Sequence, residues 1–209
     1  MSHNLFDLNY ENLKTSLQKD FYTCVPFPLE ANSIHDAVEA FFTFLEESDD
    51  IKQHIDFTIS PKHRRGDIGF KHRNPDDHIY NDSKDFFHFH PAIWDKYETF
   101  IKAHPTVKDF LNKAQPIWDL TYKTITYITK TFDEHHPGIH DKIFDTQQTH
   151  IIIRFLRYNW RKSGKYLAKP HYDAGSCTLA ISESCQGLRI GSHPDNLKPV
   201  LHQPGNALF

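Results

Sequence analysis

The sequence predicts an α+β fold, with helices in the first two thirds of its 209 residues and strands in the last third. An apolar stripe at helical spacing indicates an amphipathic helix that begins near Ser33. A β-branched and aromatic run from Thr149 to Trp160 indicates a buried strand. These two patterns together predict a layer of helices that supports a sheet. The residues of the helical stripe are Ile34, Val38, Phe41, Phe42 and Leu45.

The helical part of the chain can be divided at its caps and prolines. Ser33 is a residue type that caps helix N-termini, so we expect the first amphipathic helix to start there. The stretch from Asp56 to Phe70 predicts a short pair of strands joined by a basic loop. Residues Pro91 to Ala103 predict a helix, and Pro105 opens another that runs to about Phe132. Pro116 lies inside it and should kink or split it.

The last part of the chain predicts further strands after the Thr149–Trp160 run. The segment Cys177–Ser182 alternates apolar with small or polar residues, and Gln186–Ile190 follows as a return strand. The stretch Asp133–His140 is polar and rich in turn residues, so we expect a solvated loop there.

Composition favours one domain, in which residues 1–148 form a mainly helical part and residues 149–209 begin the sheet core. A formal net charge of −3 gives no general attraction to nucleic acid or to an anionic membrane. Three cysteines without a Cys-x-x-Cys motif indicate reduced thiols, and the N-terminus lacks the pattern of a signal peptide. We therefore expect a cytoplasmic protein.

A histidine and an aspartate two residues apart recur three times: His54/Asp56, His171/Asp173 and His193/Asp195. The last pair flanks a proline and predicts a turn. The first lies where a helix gives way to a strand, and a surface strand start explains it equally well. The His171 pair differs because it lies between two apolar segments.

The spacing of His171 and Asp173 suits a shared metal ion. Side chains at i and i+2 of an extended segment leave the same face, so one imidazole nitrogen and one carboxylate oxygen can reach one ion. Two histidines and one carboxylate with open coordination positions are typical of non-haem Fe(II) oxygenases. We therefore predict His171 and Asp173 as metal ligands.

A longer pattern around this pair resembles a known family. The segments R-F-L-R-Y (Arg154–Tyr158), H-Y-D-A-G-S-C-T-L-A-I-S (His171–Ser182) and Q-G-L-R-I (Gln186–Ile190) resemble the core of the isopenicillin N synthase-like branch of the 2-oxoglutarate/Fe(II) dioxygenases. Ser83–Phe89 and Arg65–Phe70 resemble earlier segments of that branch. The likeness covers most of the chain and is specific from about Ile151 to Ile190.

The resemblance implies a double-stranded β-helix, or jelly roll, behind an N-terminal helical layer. It implies Fe(II), 2-oxoglutarate and O2 as cofactor and cosubstrates, and oxidation of a C–H bond in a small molecule. Tyr158 and Asn159 match positions that contact the cosubstrate, and Thr178 and Arg189 are weaker candidates for the site wall. For Tyr158 a core aromatic with a satisfied hydroxyl is an equally good interpretation.

The sequence departs from the family pattern after Asp173. The family has a distal histidine and then an Arg-x-Ser that binds 2-oxoglutarate, whereas His193 and His202 both come too early for that ligand. We therefore expect a C-terminally truncated member, with unpaired sheet edges and two protein ligands rather than three.

Two alternatives stay open. A non-catalytic jelly-roll module, or pseudoenzyme fragment, would bind a ligand without using His171 in catalysis. A zinc hydrolase would need a glutamate base, and Glu183 lacks the H-E-x-x-H context of such a base. Isopenicillin N synthase itself uses no 2-oxoglutarate, so the cosubstrate rests on the resemblance alone. The substrate and the oligomeric state are not predicted.

Overall fold

The computed structural model describes residues 8–59, 67–74, 82–144, 151–159, 167–173 and 175–209. The chain divides into two units that each take several segments. Residues 35–118 and 148–171 form what we call the sheet unit, and residues 1–34, 119–147 and 172–209 form the terminal unit. The prediction of a single domain stays a prediction.

The sheet unit is built on four antiparallel strands in the order β2-β3-β4-β5. They are β2 (Asp56–Thr58), β3 (Asp67–Arg73), β4 (Lys84–Phe89) and β5 (Ile153–Tyr158). The predicted strand pair near residue 56 and the predicted strand near residue 150 are therefore confirmed. The basic loop and the first two residues of Arg65–Phe70 lie outside the described residues, as do Thr149, His150 and Trp160.

Alternation along these strands gives the sheet two different faces. One, the core face, carries Phe87 and Phe155, which lie opposite each other in the β4–β5 register. The Phe110 ring lies 5.1 Å from that of Phe87 and 5.0 Å from that of Phe155. Phe44 completes the cluster at 5.4 Å from both Phe87 and Phe110. Phe44, Phe87 and Phe110 are almost completely buried, so this cluster forms the core of the unit.

The opposite face of β3, β4 and β5 we call the open face. Its three rows of side chains follow from the register: Gly69, His88 and Arg154; Lys71, Phe86 and Leu156; Arg73, Lys84 and Tyr158. Gly69 has φ 110°, and a Cβ there would lie 1.8 Å from the Ile55 carbonyl oxygen. Glycine is therefore required where β3 crosses close to this backbone.

The helix with the apolar stripe is α2 (Ala31–Leu45), which begins two residues before the predicted N-cap. Ser33 lies inside its first turn, where the Ser33 amide donates to the Glu30 carbonyl, so the predicted cap is wrong. The buried stripe includes Phe41 and Phe44, whereas Phe42 is 37% exposed. The helical period brings Phe44 to the core and turns Phe42 away from it.

The long helix α6 (Pro105–Asp133) begins at the predicted proline and continues past Pro116 without a break. Pro116 therefore does not split it. The boundary between the two units falls shortly after this proline, between Trp118 and Asp119. The segment predicted as one helix before it forms two short ones, α4 (Ile93–Lys96) and α5 (Glu98–Ala103). A four-residue helix, α3 (Asp49–Lys52), follows α2.

The terminal unit contains α1 (Tyr10–Asp20), α7 (Ile139–Ile143) and two small antiparallel pairs. Strand β1 (Cys24–Pro26) pairs with β8 (Asn206–Leu208), and β6 (Arg189–Ile190) pairs with β7 (Lys198–Pro199). A short 3-10 helix, Pro194–Asn196, lies between β6 and β7.

The polar stretch at residues 133–140 forms a turn between α6 and α7, in which residues 134–137 are exposed. The Tyr10 hydroxyl and the His136 ring nitrogen Nε2 form a 2.6 Å hydrogen bond, and the His135 ring stacks on Tyr10. His140 lies in α7 and its Nδ1 is 2.9 Å from the Thr129 hydroxyl. The predicted solvated loop is therefore confirmed for residues 134–137, which are exposed, and is wrong for Ile139 and His140, which begin α7.

The observed fold is α+β, as predicted, with antiparallel pairing throughout the described strands. The residues described do not form a closed barrel. The predicted strand at Cys177–Ser182 is wrong, since only Ala180 forms a bridge, to Leu208. The predicted return strand is reduced to the two residues of β6.

Within the described residues, none of the helices combines the length and the apolar character needed to cross a bilayer.

Candidate functional site

The His171/Asp173 pair lies in a segment without regular secondary structure. The boundary between the units falls just after His171, so the histidine is described with the sheet unit and the aspartate with the terminal unit. The resemblance implies that both side chains lie inside a barrel. In the structure both are exposed.

The imidazole of His171 is oriented by its own backbone. Its Nδ1 lies 2.8 Å from the Lys169 carbonyl oxygen. A carbonyl oxygen can only accept, so Nδ1 carries a proton and donates it to this oxygen. Histidines that bind metals through Nε2 commonly donate Nδ1–H to a carbonyl or carboxylate in this way.

The carboxylate of Asp173 is oriented by Thr178. The threonine hydroxyl donates to Oδ2 at 2.6 Å. This contact fixes the position of Oδ2. Thr178, which the sequence suggested as part of the site wall, therefore acts on Asp173 itself. The intervening Tyr172 is 82% exposed, and its hydroxyl donates to the Ser192 carbonyl.

The structure distinguishes the other two His-x-Asp pairs from this one. His193 caps the 3-10 helix, and its Nδ1 accepts the Asp195 amide at 3.3 Å, so its proton is on Nε2. The predicted turn is therefore confirmed. The His54 ring stacks on Phe100 at 3.9 Å, and Asp56 pairs with Lys71. Each of these pairs has a structural role that accounts for it.

Neither His202 nor Glu183 completes a metal site with the pair. The His202 Nε2 bonds to the Ala180 carbonyl at 3.1 Å, while Nδ1 lies 3.4 Å from a Glu183 oxygen. The other Glu183 oxygen accepts the amides of Gly187 and Leu188, which closes a turn. In the chain as described, no three His, Cys, Asp or Glu side chains group to hold a metal ion.

The two predicted cosubstrate residues lie on opposite faces of the sheet. Tyr158 is on the open face, where the Lys84 ammonium lies 5.5 Å from its ring centre. Burial raises the pKa of the Tyr158 hydroxyl, and the negative charge of Asp82 adds to this. Asn159 donates its amide to Asp85 Oδ2 at 2.9 Å, on the side of the core face.

Asp85 is the centre of a polar cluster at the end of the core face. It is 8% exposed and accepts from His72 at 2.6 Å, Arg157 at 2.9 Å and Asn159 at 2.9 Å. Burial alone would raise the Asp85 pKa, but these three donors outweigh it and the pKa lies below its usual value. The hydrogen bond between His72 and Asp85 also raises the pKa of His72. This cluster satisfies a buried charge and is structural.

Asp82 plays a similar part on the open face. Arg73 and Lys84 both donate to it at 2.6 Å, one to each oxygen. Burial opposes ionisation of Asp82, yet the two cations hold its pKa below the usual value. The two cations in the row of Tyr158, Arg73 and Lys84, therefore share the single carboxylate of Asp82.

The open face carries residues that the sequence analysis did not select. Arg154 donates Nε–H to His88 Nε2 at 2.8 Å, and its guanidinium lies 5.5 Å from the Phe86 ring centre. The alternation in K-D-F-F-H-F and I-R-F-L-R-Y was a signal for this face, because every second side chain of a strand lies on the same face of the sheet. Arg189 lies elsewhere, and it donates to the Leu197 carbonyl.

No known protein-family model matches the chain, and no curated protein matches it.

Proposed function

We propose that this chain is an Fe(II)- and 2-oxoglutarate-dependent dioxygenase of the isopenicillin N synthase-like type that oxidises a small molecule. The proposal rests on the pattern from Arg154 to Ile190 and on one local observation. His171 and Asp173 are each oriented by a hydrogen bond, from Nδ1 to the Lys169 carbonyl and from the Thr178 hydroxyl to Oδ2. The neighbouring His-x-Asp pairs lack this arrangement.

In this proposal His171 holds the iron through one ring nitrogen and Asp173 through one carboxylate oxygen. Nitrogen and carboxylate donors are the ligand types of ferrous oxygenase sites, so the donor chemistry fits. Bound Fe(II) would supply the activation of O2 for oxidation of a C–H bond. The described residues supply these two donors. Among them, no three His, Cys, Asp or Glu side chains form a group that could hold a metal ion, so the third ligand of the family pattern is not identified.

The chain's own residues would orient these donors. The Lys169 carbonyl keeps the proton of His171 on Nδ1, and Thr178 holds Asp173 by one oxygen. Tyr158 would contact the cosubstrate from the open face, with Lys84 beside its ring. The proposal includes a jelly roll, of which the four-stranded sheet would form part, and a cytoplasmic location, which suits the unpaired cysteines.

The second candidate is a non-catalytic jelly-roll module that binds a ligand. The exposure of His171 and Asp173 favours it, because an oxygenase site is normally closed to water. In that case the open face would be the binding surface and the pair would have no chemical role.

The experiment that separates these candidates is an anaerobic titration of the full chain with Fe(II) and 2-oxoglutarate. The dioxygenase predicts a visible charge-transfer band from the iron–cosubstrate chelate. His171→Ala and Asp173→Ala should each abolish that band, because each removes one of the two donors.

The matched control is the His193/Asp195 pair, which has the same spacing and is also exposed. His193→Ala and Asp195→Ala should leave the band unchanged. Absence of the band in folded wild-type protein, or equal loss in both sets of variants, contradicts the dioxygenase and favours the binding module.

A further inference from the structure

We propose that a cavity in the terminal unit, between the start of α1 and the end of α6, binds a small organic amine that carries one positive charge. The cavity has a volume of about 400 Å³, at the small end of the range for ligand sites. Its wall uses none of the residues of the proposed iron site, and the binding needs no metal. The proposal therefore goes beyond the oxygenase.

The cavity has two walls, and both belong to the terminal unit. One is the start of α1, which includes Glu11. The other is the end of α6, where Tyr127, Thr131 and Glu134 recur at helical spacing and therefore share one face. Glu134 follows the last residue of α6, but its amide still donates to the Lys130 carbonyl, so the helical face continues to it.

Contacts of Tyr10 hold the two walls together. Its hydroxyl forms the 2.6 Å hydrogen bond with His136 Nε2. The ring of His135, which also lines the cavity, stacks on the Tyr10 ring at 3.8 Å, and the Phe132 ring meets it edge to face at 5.7 Å. Tyr10 is only 9% exposed, so it is packed between the two walls. The cavity is therefore formed before a ligand binds, which lowers the entropic cost of binding.

The charges of the wall favour a cation. Glu11 and Glu134 are the acidic residues that line the cavity, and none of the lining residues is a lysine or an arginine. Lys14, on the next turn of α1, pairs with Glu11 at 3.7 Å. Glu134 is exposed, and no ion pair joins it to another residue in the described part of the chain. One negative charge is thus left for a ligand with one positive charge, and the negative end of the α6 dipole adds to it.

Three aromatic rings also line the cavity, those of Tyr10, Tyr127 and His135. Lys14 shows how an ammonium group is accommodated beside them. Its nitrogen lies 5.5 Å from the centre of the Tyr10 ring and 3.7 Å from a Glu11 oxygen. A ligand ammonium bound to Glu134 would likewise place its carbon body against the rings, a contact that does not need the tyrosine hydroxyls.

A metal ion or an anion fits this cavity less well. Among the described residues, Glu11, Glu134 and His135 do not form a group that could hold a metal ion. An anion would meet two carboxylates, without a lysine or an arginine in the wall. An amine, in contrast, can bind one carboxylate through a charge-assisted hydrogen bond.

The test uses phenethylamine and its neutral counterpart phenethyl alcohol, which has a hydroxyl in place of the ammonium. Calorimetric titration of the full chain in metal-free buffer should show binding of the amine and at least about tenfold weaker binding of the alcohol. Glu134→Gln should weaken binding of the amine about tenfold, because the amide keeps the shape of the side chain and removes its charge. It should leave binding of the alcohol unchanged.

Glu30→Gln is the matched control, because Glu30 is an exposed carboxylate of the same unit that does not line the cavity. It should leave binding of both compounds unchanged. The proposal is overturned if the wild type does not bind the amine, if amine and alcohol bind equally, or if Glu134→Gln has no larger effect than Glu30→Gln. The amine–alcohol comparison needs no variant, so it decides the matter even if Glu134→Gln does not fold. Failure here leaves the iron titration untouched, because no metal is present.

Discussion

The four-stranded sheet and the segment that carries His171 and Asp173 are held in place by different interactions. In the sheet unit, Phe87 and Phe155 are positioned by a cluster of buried rings about 5 Å apart. Residues 167–173, which the structure describes, form no strand, and His171 and Asp173 are oriented by hydrogen bonds to the Lys169 carbonyl and from Thr178.

This difference separates stability from the proposed chemistry. Burial of aromatic area makes a large contribution to stability, whereas hydrogen bonds between exposed groups contribute little. We therefore expect substitutions in the sheet core to unfold the protein, and substitutions at the His-x-Asp pair to change metal binding alone.

The largest effect is expected for Phe110→Ala. Phe110 is fully buried and contacts four other phenylalanine rings, so its loss leaves a cavity that the core cannot close. Urea unfolding should show a loss of about 3–5 kcal/mol. Phe42→Ala is the control: with Phe42 37% exposed, its loss should be below about 1 kcal/mol. Equal losses would contradict the assignment of the core face.

The next effect is expected for Asp85→Asn. The amide keeps the shape but loses the charge that Arg157 and His72 pair with, in a place that is 8% exposed. The free energy of unfolding should fall by about 2 kcal/mol. Asp56→Asn, an exposed partner of Lys71, should cost less than about 0.5 kcal/mol. A smaller loss for Asp85 than for Asp56 would show that the cluster is not structural.

Local sequence patterns predicted strand β5 and the start of helix α6. Strand β5 was predicted from the β-branched and aromatic run between Thr149 and Trp160, and Ile153 and Phe155 of this run are buried. The start of α6 was predicted because Pro105 has no amide hydrogen to lose at a helix N-terminus. Both predictions use residues that lie inside the element itself, so they need no knowledge of its partners.

The missed features depend on partners that are distant in sequence or on competing polar groups. Cys177–Ser182 alternates like a strand, but the Thr178 hydroxyl bonds to Asp173 and Glu183 closes the following turn, so pairing is limited to Ala180. The Arg154–His88 contact joins residues 66 positions apart and cannot be inferred from spacing. For the site, the sequence selected His171 and Asp173 but did not indicate how they are oriented.

A smaller effect is expected for the pH dependence of stability. The hydrogen bond that His72 donates to Asp85 raises the His72 pKa above 6.5. The stabilising contribution of His72 is therefore complete below pH 6.5 and is lost as pH rises through the folded-state pKa. Asp85 contributes above its ordinary pKa of 3.8 and loses this as pH falls through its lowered value. His72→Gln should therefore be less stable than wild type between these limits.

The size of this difference should be about 0.5 kcal/mol, because the His72 side chain is 46% exposed and solvent screens the pair. Urea unfolding of both proteins at about pH 5.5 and about pH 8.5 measures this difference, because these two values bracket the titration of His72. A difference that grows toward the higher pH would have the wrong sign.

The smallest effect on stability is expected at the candidate ligands. His171→Ala and Asp173→Ala remove exposed side chains, so each should change the free energy of unfolding by less than about 0.5 kcal/mol. Urea unfolding of the metal-free protein checks this. A loss comparable to that of Asp85→Asn would mean that the pair supports the fold.

The most direct measurement of the central claim is Fe(II) binding by anaerobic equilibrium dialysis. It compares wild type with the double variants H171A/D173A and H193A/D195A, which remove equally spaced pairs. We predict that wild type and H193A/D195A bind iron equally and that H171A/D173A binds it at least about tenfold more weakly. Equal iron binding by all three proteins would contradict the assignment of His171 and Asp173 as metal ligands.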